Sequence, residues 1–276
     1  MKAWNLIALL TVALEALCSC RSIILEDRKE CPAYVFFQNT PDNPADKSQP
    51  MLVTVRDAGS MEELASDNPL LREIVDPGYY LSIQKRPEII VCGVAGVQTN
   101  SLSGTRLEIP SGGQGDPIYR FCSKETLSGE FVRVPLTMTK EFCRVLVRFR
   151  SEDGVFPYSV VVRANTCGMD IATGEPLEGV FRHAPMELST GVFMFTVPRQ
   201  ADYSLSLQLW DYAQSKGGEE DCIEDFLLWN ALRRIDGFSW GMKNLPDLTV
   251  EIDYVNASVS VLVNDWDLSE TINYSI

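Results

Sequence analysis

Alternation of apolar and polar residues with a period of two constrains this chain more than any other feature. The stretch CRVLVRFR places Cys143, Val145, Val147 and Phe149 on one face and Arg144, Leu146, Arg148 and Arg150 on the other. YSLSLQLW sets Tyr203, Leu205, Leu207 and Leu209 against Ser204, Ser206, Gln208 and Trp210. LTVEIDY sets Leu248, Val250, Ile252 and Tyr254 against Thr249, Glu251 and Asp253, and SVSVLV repeats the pattern with Val259, Val261 and Val263. Successive strand side chains point to opposite faces, so each segment buries one face and wets the other, as antiparallel sheets do. The last two segments, joined through VNAS, read as a hairpin with Asn256 in the turn.

Further strands are expected at 33–38, 51–57, 80–85, 88–95, 105–109, 117–122, 130–137, 158–166 and 192–198. The segments between them carry Gly, Pro, Asn and Asp, as in NTPDNPADKSQP and PSGGQGDP. Many short strands separated by such turns predict an all-β chain, and their number exceeds one small sandwich, so two are expected. The charge, Gly154 and Pro157 of SEDGVFP (151–157) break the pattern and set the expected boundary, giving domains at 31–152 and 153–276. Helix is scarce. MEELASDNPLLREIV can supply short turns but is interrupted by Asn68-Pro69. The best helix candidate is EEDCIEDFLLWNALRR (219–234), with acids at its start and Arg233 and Arg234 at its end, complementing a helix dipole.

The chain begins with Lys2 and then the uncharged run AWNLIALLTVAL. A short positive region followed by a dozen apolar residues suits an export signal and is too short for a membrane-spanning helix. LCSC follows, with Leu17 three residues before Cys20 and small Ser19 directly before it. This resembles the lipobox of bacterial lipoproteins, in which the signal is cut before the cysteine and its sulfur receives a lipid. Residues 1–19 are then the signal peptide, Cys20 the lipidated first residue, and 20–30 a linker. The other reading is an ordinary signal cut nearby, with Cys20 a plain thiol. A multiply acylated cysteine converts a soluble protein into an anchored one.

Net charge is -14, and an acidic chain repels phosphate backbones, so no nucleic-acid partner is expected. Beyond Cys18 and Cys20 lie Cys31, Cys92, Cys122, Cys143, Cys167 and Cys222. Export permits disulfides among them, but the pairing is not legible, and a buried strand thiol serves equally as a small apolar residue. No CxxC spacing suggests a zinc ribbon, and no metal or cofactor is expected. His183 is the one histidine, no neighbouring nucleophile marks it as a base, and GxSxG, HExxH, Walker and GxGxxG patterns are missing, so the chain does not read as an enzyme. GGEEDCIED lacks the alternating ligand spacing of a calcium loop. Trp210, Trp229, Trp240 and Trp266 are candidates for sugar stacking, or for ordinary packing between sheets. NAS at 256–258 fits a glycosylation sequon and fits a turn.

One arrangement points to a family. ILEDRKECPAYVFF (24–37) places an acid and Arg, then Cys-Pro, then an apolar strand soon after the lipobox. VPLTMTKEFCRVLVRF (134–149), SVVVRANTCGMD and VLVNDW follow. Together they resemble the FimB family, minor subunits of Bacteroidetes-type (type V) fimbriae. The resemblance implies two tandem transthyretin-like β-sandwiches, no enzymatic activity, and an outer-membrane lipoprotein that anchors the fimbrium and regulates its assembly. Its implied partners are fimbrial stalk subunits, joined by strand donation, and the outer membrane, joined through the lipid. An acceptor groove is expected between the first strand and the closing strand, with Val35, Phe37, Val259 and Val261 along it. The alternative is a surface glycan-binding lipoprotein or a fimbrial tip adhesin.

Overall fold

The computed structural model describes residues 31–40, 45–150, 154–211, 222–253, 258–264 and 271–275. Its first half holds β1 (Pro32–Asn39), β2 (Met51–Asp57), β3 (Glu63–Asp67), α1 (Leu71–Ile74), β4 (Tyr80–Gln84), β5 (Glu88–Ala95), β6 (Ser101–Ser103), β7 (Arg106–Glu108), β8 (Tyr119–Thr126) and β9 (Phe131–Leu136). Next come β10 (Thr139–Lys140), β11 (Phe142–Arg150), β12 (Tyr158–Asp170), β13 (Pro176–His183), β14 (Glu187–Ser189) and β15 (Val192–Pro198). The remainder is β16 (Ser206–Asp211), β17 (Cys222–Leu227), α2 (Trp229–Leu232), β18 (Asp247–Asp253), β19 (Ser258–Asn264) and β20 (Thr271–Ser275).

The strands form four sheets, ordered β4-β1-β9, β10-β8-β5-β2-β3, β14-β15-β11-β18-β19-β20 and β17-β16-β12-β7-β6, with β13 also paired to β12. The first two enclose one core. It contains Ala33, Val35 and Phe37 of β1, Val134 and Leu136 of β9, Val53 and Val55 of β2, Ile89 and Val91 of β5, and Phe121 of β8. The other two enclose a second core, built from Val145 and Val147 of β11, Phe193 and Phe195 of β15, Val160 and Val162 of β12, Leu207 and Leu209 of β16, and Val250 and Ile252 of β18. The protein is therefore all-β, with sheets packed face to face.

A third, small cluster joins the two bodies. Val94 and Ile118 meet Leu107, Met169 and Ile171. The hairpin β6–β7 leaves the first body to pair with β12 in the second, Leu107 opposite Met169. Gly168 permits that approach, because a Cβ there would lie 2.1 Å from the Leu107 carbonyl oxygen. Buried Glu141 sits at the same junction and receives Arg120 at 3.4 Å and Arg199 at 2.5 Å.

The alternating segments lie where their pattern places them, as β11, β16, β18 and β19. β18 and β19 form the expected hairpin, with its turn outside the described residues. The expected helix at 219–234 is corrected. Its described part begins with β17, an edge strand paired to β16 with Phe226 opposite Leu207, and among its described residues only Trp229–Leu232 is helical. Phe226 is buried in the second core, so burying it against an existing sheet edge outweighs a modest helix preference. Among the described residues two of the ladders are parallel. β1 pairs parallel with β9, and β11 pairs parallel with β18. On β16 the polar face is covered as well, for Ser206 and Gln208 are buried. The strands β3, β6, β13, β14, β17 and β20 extend the sequence reading.

Candidate interaction surface

Cys20 and the signal region lie outside the described residues. The four groove candidates do not converge. Val35 and Phe37 are buried in the first core on β1, whose two edges are occupied by β4 and β9. Val261 is buried in the second core on β19, between β18 and β20. The Val259 side chain is outside the described set, and its backbone position pairs with Ile252 and Tyr274. Among the described residues the sheet edges are β4 and β9, β10 and β3, β14 and β20, and β17 and β6, with β13, paired to β12, a further edge.

The outer face of the β4–β1–β9 sheet carries an aromatic cluster that the sequence reading missed. Register aligns Tyr34 with Ser82 and Phe131, and Phe36 with Tyr80 and Arg133. Tyr34 and Tyr80 meet edge to face at 5.3 Å, Phe36 and Phe131 at 6.3 Å, and Phe36 reaches Tyr80 at 5.7 Å. Tyr80 is 49% exposed and Phe131 55%, so the cluster is open to solvent. The Arg133 guanidinium lies over the Phe131 ring, 5.4 Å from its centre. A cleft of about 500 Å³ continues from it, lined by Phe36, Asn39, Val75, Pro77, Tyr79 and Arg133 among others. The Tyr79 hydroxyl donates to Asp67 Oδ2 at 2.9 Å, and burial, then Asp67, pushes its pKa up, so it stays a neutral donor. The available signal was AYVFF itself. Inward Ala33, Val35 and Phe37 alternate with outward Tyr34 and Phe36, so both faces of β1 are apolar.

A second, polar cleft lies on the outer face of the β17–β16–β12 sheet. Arg163, Asn165, Val180, Ser204, Gln208 and Asp225 line about 210 Å³ of it, and Asn165 and Val180 also border an adjoining space with Glu178 and Asp202. Asn165 Nδ2 donates to Asp202 Oδ2 at 3.0 Å, and Gln208 Nε2 donates to Asp225 Oδ2 at 2.8 Å.

The described tryptophans do not share a platform. Trp240 is in the second core, Trp229 stacks on Tyr203 with centroids 3.6 Å apart, Trp210 is half-buried on β16, and Trp266 lies outside the described residues. The Nδ1 atom of His183 meets the Gly112 carbonyl at 3.0 Å, a structural contact between a strand end and a loop. No group of three or more His, Cys, Asp or Glu able to hold a metal occurs among the described residues. No helix among them is long and apolar enough to cross a membrane.

No protein-family model matches the chain, and no curated protein matches it in sequence. Solved structures do match it in fold. The fimbrial anchor protein Mfa2 from Porphyromonas gingivalis aligns with a TM-score of 0.59 at 12% identity, covering 87% of this chain and 100% of its own. A candidate polysaccharide-binding protein from Bacteroides thetaiotaomicron gives 0.59 at 14% identity, covering 90% and 98%. A candidate adhesin from Bacteroides ovatus gives 0.57 at 12% identity, covering 88% and 95%. At these identities the likeness is one of fold.

Proposed function

We propose that this chain is a fimbrial anchor subunit of the Bacteroidetes type, an exported lipoprotein held to the outer membrane through Cys20. The observation that carries the reading is likeness of fold along nearly the whole chain to Mfa2, named a fimbrial anchor protein. The lipobox-like LCSC supports it from the sequence side. On this reading the protein does no chemistry. It holds the fimbrium at the cell surface and limits its assembly.

We read the chain as two sandwich domains. The cores favour a division at 137–141, ahead of the 151–157 stretch marked by composition, because the first core ends at Met138 and Cys143 opens the second. Stalk subunits join by strand donation, an added strand contributing ladder hydrogen bonds and alternate side chains in pockets. Of the four groove candidates, Val259 and Val261 fit this role better. Their strand is covered on one side by β20, an edge strand near the end of the sequence, whose departure frees a full row of backbone groups. The aromatic face of β1, β4 and β9 is then a second docking surface for a neighbouring subunit.

Radiolabelled palmitate with wild type and Cys20→Ala, combined with fractionation of fibres, tests the anchor. Label on wild type only, with the variant released and its fibres shed or lengthened, is the expected result. Normal cell-bound fibres in Cys20→Ala overturn it. Deleting residues 271–276 is expected to speed capture of stalk subunits, and unchanged capture removes β20 from the exchange.

The polar cleft around Asn165 and Asp225 favours a second reading, a surface glycan-binding lipoprotein or tip adhesin. Glycan arrays with wild type and Asn165→Ala separate the two, since only a binder gives signals that the substitution weakens.

A further inference from the structure

Cys92 and Cys122 occupy directly opposed positions on neighbouring antiparallel strands, β5 and β8. Their Sγ atoms are 2.7 Å apart. Opposed residues on such strands have Cα atoms about 4.5–5.5 Å apart, inside the roughly 4.4–6.8 Å that disulfides span. Cys92 is buried and Cys122 is exposed. The other cysteines differ. Cys143 is sealed in the second core, and the Cys167 sulfur faces the carbonyls of Leu177 and Glu178.

We propose that Cys92 and Cys122 are a modification site that becomes a cross-strand disulfide after export. The inference rests on the exported reading above, which supplies the oxidant, a disulfide-carrying protein of the oxidising compartment. The Cys122 thiolate attacks the carrier disulfide and displaces one carrier sulfur as a thiolate. Cys92 then loses its proton, and its thiolate attacks Cys122 Sγ, releasing the second carrier sulfur. Two S–H groups become one S–S bond, and the electron pair and both protons end on the carrier thiols.

The surroundings sort the two roles. A hydrogen bond from Cys92, and behind it the Arg120 charge, holds the exposed Cys122 thiol below its ordinary pKa against the opposing effect of burial. The same hydrogen bond, then burial, pushes Cys92 up. Once Cys122 is in the mixed disulfide it is no longer an anion, and the largest restraint on Cys92 ionisation is gone.

The position gives the bond a mechanical task. Between the two cysteines the chain makes the excursion that carries β6 and β7 into the second body, where β7 pairs with β12. The disulfide clamps both ends of that excursion to one point of the first body. Tension between the bodies then reaches the β5–β8 ladder through a covalent bond. Residues 93–121 are withheld from extension, on the order of 100 Å of chain. This suits a protein tethered at one end and pulled at the other.

The test uses the purified full chain, reduced, exposed to oxidised glutathione, alkylated, digested and read by mass spectrometry. A peptide pair joined through Cys92 and Cys122 is expected. Oxidation is expected to raise Tm by roughly 5–10 °C, with the rise missing from Cys92→Ser/Cys122→Ser. Cysteines 92 and 122 alkylated, separately glutathionylated, or joined to other partners would overturn the proposal. Palmitate labelling of Cys20 reports on the anchor reading independently, so the two can fail separately.

Discussion

The outer faces of two sheets make an instructive contrast. On the β14–β20 sheet, outward Arg148 and Arg150 of β11 reach Glu251 of β18, at 3.5 and 3.3 Å, and Asp247 of β18 receives Lys140 from the neighbouring β10 at 2.6 Å. The charges on this face pair across strands, with Leu146 opposite half-exposed Met194 beside them. On the β4–β1–β9 sheet the outward positions are Tyr34, Phe36, Tyr80 and Phe131, with Arg133 stacked above the last. Inner faces obey one rule in both bodies, because burying apolar area is the same problem twice. Outer faces are free of that rule, so an aromatic one is a candidate interaction surface.

The inner faces are where the two bodies should behave alike. Phe195→Ala in the second core is expected to cost about 3–5 kcal/mol and Leu136→Ala in the first about 2–5 kcal/mol, measured by urea unfolding. Two separate transitions in that titration would sharpen the division into bodies. Glu141→Ala attacks what joins them. It removes the carboxylate that both Arg120 and Arg199 meet at a buried junction and leaves their guanidiniums with backbone carbonyls alone, with an expected loss of about 3–5 kcal/mol. A loss below 1 kcal/mol would show that water already serves that junction.

The outer faces should then diverge. Tyr80→Ser/Phe131→Ser is expected to change stability by less than about 1 kcal/mol, since both side chains are half exposed, while weakening capture of stalk subunits at least tenfold. Unchanged capture would reduce the aromatic face to an ordinary surface. The smallest effect belongs to Arg148→Ala, expected to cost about 0.2–1 kcal/mol, and less in high salt because the pair is exposed. A larger, salt-independent loss would mean the charged face is not merely solvated.

These differences track what a sequence can express. Val145, Val147 and Phe149 alternate with Arg144, Leu146 and Arg148, and β11 forms with the first set inward. Segment 219–234 misleads because its charge order suits a helix, whereas Phe226 fills a place in a sheet made by residues far away. The groove candidates Val35, Phe37 and Val261 were legible as strand residues. Their division between two cores was not, since strand identity carries no label for the sheet it joins.

The aromatic face depends on both kinds of information. AYVFF announces an apolar strand, but only the pairing of β1 with β4 and β9 gathers Tyr34, Phe36, Tyr80 and Phe131 onto one surface. Likewise the six cysteines allowed many pairings, and register alone put Cys92 opposite Cys122.

The sequence by itself determined the all-β class, the positions of most strands and which side of each faces a core, because side-chain alternation and turn chemistry are local. Only the tertiary structure decided which strands pair, where parallel ladders arise, and which distant side chains share a face. Those choices join residues separated by scores of positions, and they are settled by packing and backbone register.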